Sequence, residues 1–187
     1  ACVVDIQVSA LGGSMNAVSG ILLALFARER TGQGQYVDVS LYNTALSMEA
    51  TAVSSLWGCQ ETGAEPFGRI AHYYNIYKTK DGKYLTVGTI EPKFWQELCR
   101  LIGRDDLANR QFDFAHGEEL GQGLAEVFLL KTLQEWLALI DDRDFCVTPV
   151  CSLAEALNSE LTSESGMIGV RDEDIGEIKY LQPAIKL

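Results

Sequence analysis

The sequence predicts an α/β protein, and three observations carry that expectation. Up to Trp57 the chain runs strand, glycine-bearing turn, helix, strand, helix, an order that implies parallel strands layered with helices. From Tyr73 two strand-like runs flank Lys80-Asp81-Gly82-Lys83, an Asp-Gly hairpin signal. Between these stretches Gly58–Gly68 (GCQETGAEPFG) loses periodicity and gathers Gly, Glu and Pro, as a linker does.

Taken in order, Val3 to Val8 is a short strand candidate, and Ser9-Ala10-Leu11-Gly12-Gly13 is a flexible turn ending at Ser14 as N-cap. Met15 to Arg30 is apolar nearly all round, which predicts a helix buried in a multilayer core, and Thr31-Gly32-Gln33-Gly34 ends it. Gln35 to Leu41 alternates with period two and sets Val37, Val39 and Leu41 on one strand face; Tyr42 to Trp57 is the next helix. Tyr73 to Thr79 and Tyr84 to Val87 are the hairpin strands, with Gly82 free to take positive φ. Pro92 suits the first turn of a helix because it has no N–H to lose, and Phe94, Trp95, Leu98, Leu101 and Ile102 form that helix's buried stripe. Leu120, Leu124, Val127 and Phe128 lie at helical spacing within Glu118 to Lys131. Thr132-Leu133-Gln134-Glu135 and Ser152-Leu153-Ala154-Glu155 are capping boxes, the first opening a helix through Ile140, and Phe145 to Val150 reads as a strand.

Composition removes several classes of function. The 187 residues are 47% hydrophobic and 22% charged, values of an ordinary globular chain. The longest apolar run, Ala17 to Ala27, is 11 residues broken by Ser19 and Gly20, so no membrane helix is expected. The chain opens ACVVDIQVS, already strand-like, and reads as part of something longer. A formal charge of −11 argues against a broad basic nucleic-acid face while leaving room for a small anionic ligand on local cations or N–H groups. Cys2, Cys59, Cys99, Cys146 and Cys151 are scattered without a C-x-x-C, which predicts reduced, mostly core thiols in a cytoplasmic protein and no zinc site or disulfide framework. With only His72 and His116 present, no metal site is expected.

Glu91 stands where a helix N-cap belongs, directly before Pro92. Glutamate caps less well than Ser, Thr, Asp or Asn, whose shorter side chains reach the first N–H groups, so a role beyond capping is open. The turn Ser9 to Ser14, with Gly12 and Gly13, is placed where open α/β sheets take ligands, although it is neither a dinucleotide nor a phosphate-loop motif. His72, between aromatic neighbours, reads as packed, and His116 as solvent-facing. Arg171-Asp172-Glu173-Asp174 reads as a solvated loop, and the Trp and Tyr positions 57, 73, 77, 84, 95 and 136 as core.

Three blocks, GGSMNAVSGILLALFARERTGQGQYVDVSL, HYYNIYKTKDGKYLTVGTIEPKFWQELC and KTLQEWLALIDDRDFCVTPVCSLAEAL, resemble the family III CoA-transferases, a family that includes alpha-methylacyl-CoA racemase. The resemblance spans nearly the whole chain and implies part of a Rossmann-like large domain over 1–66, an inserted small α+β domain over 67–154, and a return to the large domain over 155–187. It further implies an interlocked homodimer and action on acyl-CoA thioesters, with CoA moved between carboxylic acids and CoA or acyl-CoA as substrate rather than as a covalently bound cofactor. Racemisation, or a non-catalytic CoA-binding or subunit-pairing role, are the alternatives. In the racemase branch the glutamate of a G-x-I-E-P block orients a catalytic histidine; Glu91 of Gly88-Thr89-Ile90-Glu91-Pro92 matches it. The family's catalytic aspartate falls on Ser9, or on Ala10 with one loop residue deleted, and neither is a carboxylate; Asp5 lies too early. The resemblance places the histidine and most CoA contacts in a family region that would precede Ala1. Without the aspartate, anhydride chemistry has no nucleophile, and deprotonation on one face of the α-carbon is what remains.

Overall fold

The computed structural model describes residues 6–62, 71–140, 146–173 and 176–186. The chain divides into two compact units, Ala1–Arg69 and Ile70–Leu187.

In the first unit the described residues form three helices: α1 (Val8–Thr31), α2 (Leu41–Met48) and α3 (Ala50–Thr62). The expected turn at Ser9–Gly13 is not there; α1 has already begun. Two glycines in a helix interior cost roughly 1 kcal/mol each relative to alanine, and here α2 supplies the reason to keep them. A Cβ on Gly12 would run into the Met48 thioether and the Thr44 methyl, and one on Gly13 into Leu41, so the missing side chains let the helices approach. Asn16 Nδ2 donates to Thr44 Oγ1 across the same contact at 3.1 Å. Ser14, expected as N-cap, lies mid-helix, and its hydroxyl donates back to Ala10 O at 2.9 Å. The other end agrees with the sequence: Gly32 takes φ 70° and donates its N–H to Arg28 O.

The strand expected over Gln35–Leu41 does not form, and no strand is present among the described residues of this unit. Alternation marks a face that could be buried, but a ladder needs a neighbouring strand to take its N–H and C=O groups. Ser40 instead caps α2, accepting from Asn43 N at 3.2 Å, and the expected continuous second helix breaks at Glu49. The burial expected for α1 is also unmet on most of its surface, since Leu22, Leu23 and Phe26 are 60%, 68% and 58% exposed. At 24 residues, with an 18-residue stretch of mean hydropathy 1.6, α1 is by length and composition able to cross a bilayer, which the count of uninterrupted apolar residues had excluded; a protein-core helix has the same composition. Of the expected Val3–Val8 strand, Val3 to Asp5 lie outside the described residues and Val8 is helical.

The second unit follows the sequence closely. Strands β1 (Tyr74–Lys78), β2 (Tyr84–Gly88) and β3 (Val147–Pro149) make an antiparallel sheet in the order β1-β2-β3, with Tyr77 opposite Leu85 and Val87 opposite Val147. The period-two pattern puts Tyr77, Leu85, Val87 and Val147 into one core. Helices α4 (Pro92–Leu101), α5 (Gly117–Phe128) and α6 (Leu133–Ile140) add Trp95 and Leu98, Leu120, Leu124 and Phe128, and Trp136 and Ile140 to it. The buried indoles keep their N–H bonds: Trp95 Nε1 donates to Leu107 O and Trp136 Nε1 to Phe128 O, both at 2.9 Å. Gly82 takes φ 78° in the hairpin turn. Asp81 in that turn accepts from Thr79 Oγ1 at 2.6 Å and from Leu133 N, the first amide of α6, at 3.1 Å, while Lys80 N donates to Lys131 O. Both capping boxes are present, at Thr132/Glu135 and Ser152/Glu155.

Beyond them come α7 (Leu153–Leu157), α8 (Glu160–Ser165) and an antiparallel hairpin of β4 (Ile168–Glu173) and β5 (Gly176–Leu181). Arg171, Asp172 and Glu173, expected as loop, are exposed strand residues; Asp174 lies outside the described residues. A charged strand exposed on both faces carries no apolar period to betray it. Trp57 and Tyr84, expected in the core, are 63% and 43% exposed. Of the cysteines expected mostly in the core, Cys99 is buried and Cys146 and Cys151 are exposed, while Cys2 and the Cys59 side chain lie outside what is described.

Truncating Leu124 to alanine is expected to destabilise the second unit by about 3 kcal/mol, because the side chain is fully enclosed; urea unfolding with an unchanged m-value measures it, and a loss below about 1 kcal/mol would contradict the core described. Burial, helped by the Asp106 and Asp105 charges, pushes the Cys99 thiol up to about 12. A water-soluble maleimide is therefore expected to label Cys146 and Cys151 in the native protein and Cys99 only after denaturation, as read by peptide mapping.

Candidate functional site

The site is built where β2 leaves the sheet. Gly88 N donates to Cys146 O at 2.9 Å, the last sheet bond, and Thr89 turns away with its N–H and its hydroxyl both directed to Tyr73 O, at 3.0 and 3.2 Å. Glu91 is the N-cap of α4 with φ −75° and ψ 135°, and Pro92 fills the first helical position as the sequence predicts. The Glu91 carboxylate makes no capping bond, and among the described residues it has no ion-pair partner; only its backbone carbonyl is used, accepting from Phe94 N and Trp95 N. The side chain stands in solvent.

Beside it runs the segment Ala108–Asp113, which with Pro92 and Gln96 lines an open groove of about 540 Å³. Gln111 points inward from this segment and is only 4% exposed. Its Nε2 donates to Thr89 O at 2.9 Å and Ile90 O at 2.7 Å. Asp113 closes the segment by accepting from Arg110 Nη2 at 2.9 Å and pairing with His116 Nδ1 at 2.8 Å. The His116 contact, then the Arg110 contact, hold the Asp113 carboxyl down at about 2.

His72 lies beneath, 2% exposed, its ring edge-on to Tyr73 and Trp95 at 5.3 and 5.2 Å, which is the packed histidine the sequence indicates. Burial lowers its pKa, favouring a neutral ring. His116 is exposed, as expected, although engaged by Asp113. Among the described residues no three His, Cys, Asp or Glu side chains gather as a metal ion would require.

The remaining expected site residues belong to the first unit. Ser9 and Ala10 are half-buried in the first turn of α1, and neither offers a carboxylate. Gly12 and Gly13, expected in a ligand-binding turn, are helical and their open side is occupied by Leu41, Thr44 and Met48. Asp5 lies outside the described residues. The sequence reading missed Gln111 altogether. A polar residue between Arg110 and Phe112, in a stretch with no periodicity, gives no sign of being buried.

Residues 2–187 match the sequence profile described as CoA-transferase family III. The chain belongs to that family. Its relatives in CoA-transferase family III include the alpha-methylacyl-CoA racemase of Mus musculus, 37% identical over 163 residues that make up 82% of this chain and 41% of that protein. An acyl-CoA transferase of Fusarium pseudograminearum is 30% identical over 184 residues, 89% of this chain and 39% of that protein. The crystal structure of Rv3272 from Mycobacterium tuberculosis covers all of this chain with a TM-score of 0.81 at 22% identity, using 51% of its own length, and shows the mixed α/β fold to be shared. This family III chain thus spans about two fifths of the length of the curated relatives it matches.

The Asp113 latch has a testable signature. A carboxylate whose folded value lies below the ordinary ~3.9 contributes stability above that value, and the contribution is lost as the pH falls through about 2. Carbon-detected NMR is expected to place the Asp113 midpoint near 2 and to move it upward in His116→Ala. A midpoint at the ordinary value in the parent protein would mean that the latch does not form in solution.

Proposed function

We propose that the full-length protein acts on acyl-CoA thioesters by moving a proton at the α-carbon, in the manner of the racemase branch, with Glu91 orienting an imidazole that lies outside these 187 residues and serves as the base. The observation that carries this reading is the Glu91 side chain: exposed, free of capping duty and held beside an open groove by a backbone anchored on both sides. A carboxylate at a helix N-terminus that makes no capping bond and, among the described residues, no ion pair has its lone pairs available to accept from an imidazole N–H. Such a bond selects the tautomer and holds the ring for attack by its other nitrogen. The 37% identity to a protein named alpha-methylacyl-CoA racemase supports the same choice.

Ser9 and Ala10 shape the expected chemistry. An enolate made by removing the α-proton on one face is reprotonated on the opposite face only if a second acid stands there, and neither residue supplies one. Exchange with retention is therefore the outcome this chain's residues favour. CoA transfer between carboxylic acids is the second reading, supported by the relative named as an acyl-CoA transferase; it would need a carboxylate nucleophile from elsewhere to form the mixed anhydride and release CoA thiolate. A non-catalytic CoA-binding or pairing role is the third.

The same reading includes a Rossmann-like large domain to which 155–187 return, interlocked pairing of two copies, and a cytoplasmic setting. The exposed free thiols of Cys146 and Cys151 suit a reducing compartment.

Incubated in D2O with a 2-methylacyl-CoA thioester, the full-length protein, which carries the imidazole, is expected to wash deuterium into the α-position without forming a covalent adduct. Glu91→Gln is expected to slow that exchange roughly 100-fold, the lower end of what a positioned acid–base group contributes. Mass spectrometry reads both exchange and adduct. A carboxylate-bound acyl or CoA species would establish the transferase reading, and full exchange activity in Glu91→Gln would remove the orienting role.

A further inference from the structure

Between Gly88, where β2 ends, and Pro92, where α4 begins, the chain has three residues in which to turn from sheet to helix. Their backbone groups must find partners without using the Glu91 carboxylate. On one side Tyr73 O takes the N–H and hydroxyl of Thr89. On the other, one buried side chain takes both remaining carbonyls: a side-chain amide carries two N–H donors, and Gln111 spends them on Thr89 O and Ile90 O. These are the two consecutive carbonyls that precede Glu91; the bond to Thr89 O is buried and the bond to Ile90 O is partly so, and Gln111 itself is 4% exposed.

We propose that Gln111 is a positioning residue that fixes the direction in which Glu91 presents its carboxylate, an inference that rests on the orienting role given to Glu91 above. The Glu91 side chain makes no capping bond and, among the described residues, no ion pair, so its direction follows from the backbone at 90 and 91. The Tyr73 contacts hold only Thr89, and Ile90 N turns back on Gly88 O within the same segment. Gln111 is the side chain that ties Ile90, the residue before Glu91, to a separate part of the fold. That part is itself held, through Arg110 N to Leu107 O and the Trp95 indole to the same carbonyl.

The test is a double-mutant cycle on the α-proton exchange reaction with a 2-methylacyl-CoA thioester, using Gln111→Met, which keeps the length and removes both donors. Gln111→Met is expected to lower kcat about tenfold with KM changed less than about twofold, as a misdirected group does. The combination with Glu91→Gln is expected to be no slower than Glu91→Gln alone. Losses that multiply would show that the two residues act independently and would overturn the proposal.

If the parent protein exchanges no α-proton, the reading of Glu91 fails by itself, and Gln111 is judged by amide hydrogen exchange. Phe94 and Trp95 donate to Glu91 O, so their amides are expected to exchange about tenfold faster in Gln111→Met while the α5 amides are unchanged. Unchanged protection at both would overturn the positioning role. Should Gln111→Met not fold, Gln111→Asn, which keeps the amide and shortens its reach by a methylene, goes through the same two measurements with the same deciding outcomes.

Discussion

The hydrogen bonds that meet at the end of β2 are the constraint on which the second unit's architecture turns. A strand that leaves its sheet exposes amides and carbonyls that cost free energy if buried without partners. Here Tyr73 O, Cys146 O and the Gln111 amide meet that demand from three separate places in the sequence. The sheet can therefore stop at Gly88 and the helix begin at Pro92 with Trp95 already in the core. The carboxylate of Glu91 is left over because its neighbours' backbone needs are met by others. Availability for chemistry is in this sense a by-product of a complete hydrogen-bond account nearby.

What could be read from the sequence divides along the same physical line. The β1–β2 hairpin, the proline-led α4 and the two capping boxes were legible because each is decided within four or five residues: the Asp-Gly turn, the N1 proline, the reciprocal Ser/Thr and Glu bonds. Gly12 and Gly13 misled for a tertiary reason. A glycine pair punctuates chains, and only the approach of Leu41, Thr44 and Met48 shows that these two are there to be packed against. Gln35 to Leu41 alternates as a strand should, yet no described residue ladders with it. Gln111 was invisible because nothing local distinguishes a buried amide from a solvated one. The GTIEP block drew attention to Glu91, and the residue that holds its backbone lies twenty positions downstream.

The two units differ in how much of their apolar surface they enclose. The second packs two tryptophans, two tyrosines and a set of leucines into one core. The first leaves most of α1 uncovered. A chain that spans about two fifths of its curated relatives need not enclose every apolar face within itself, and the hydropathy of α1 has the same origin whether a protein layer or a lipid layer would satisfy it.

Asp81 joins the tip of the β1–β2 hairpin to the first amide of α6, and Lys80 adds a backbone bond to Lys131 beside it. Hairpins ordinarily fray from their ends, while helices unwind from theirs. With the two ends knotted together, the turn cannot loosen without taking the first turn of α6 with it, and Trp136 rides on that turn. Two elements separated by fifty residues thus breathe as one cooperative block, so thermal agitation at the outer edge of the unit is not a private matter of the hairpin but is carried at once into the aromatic centre.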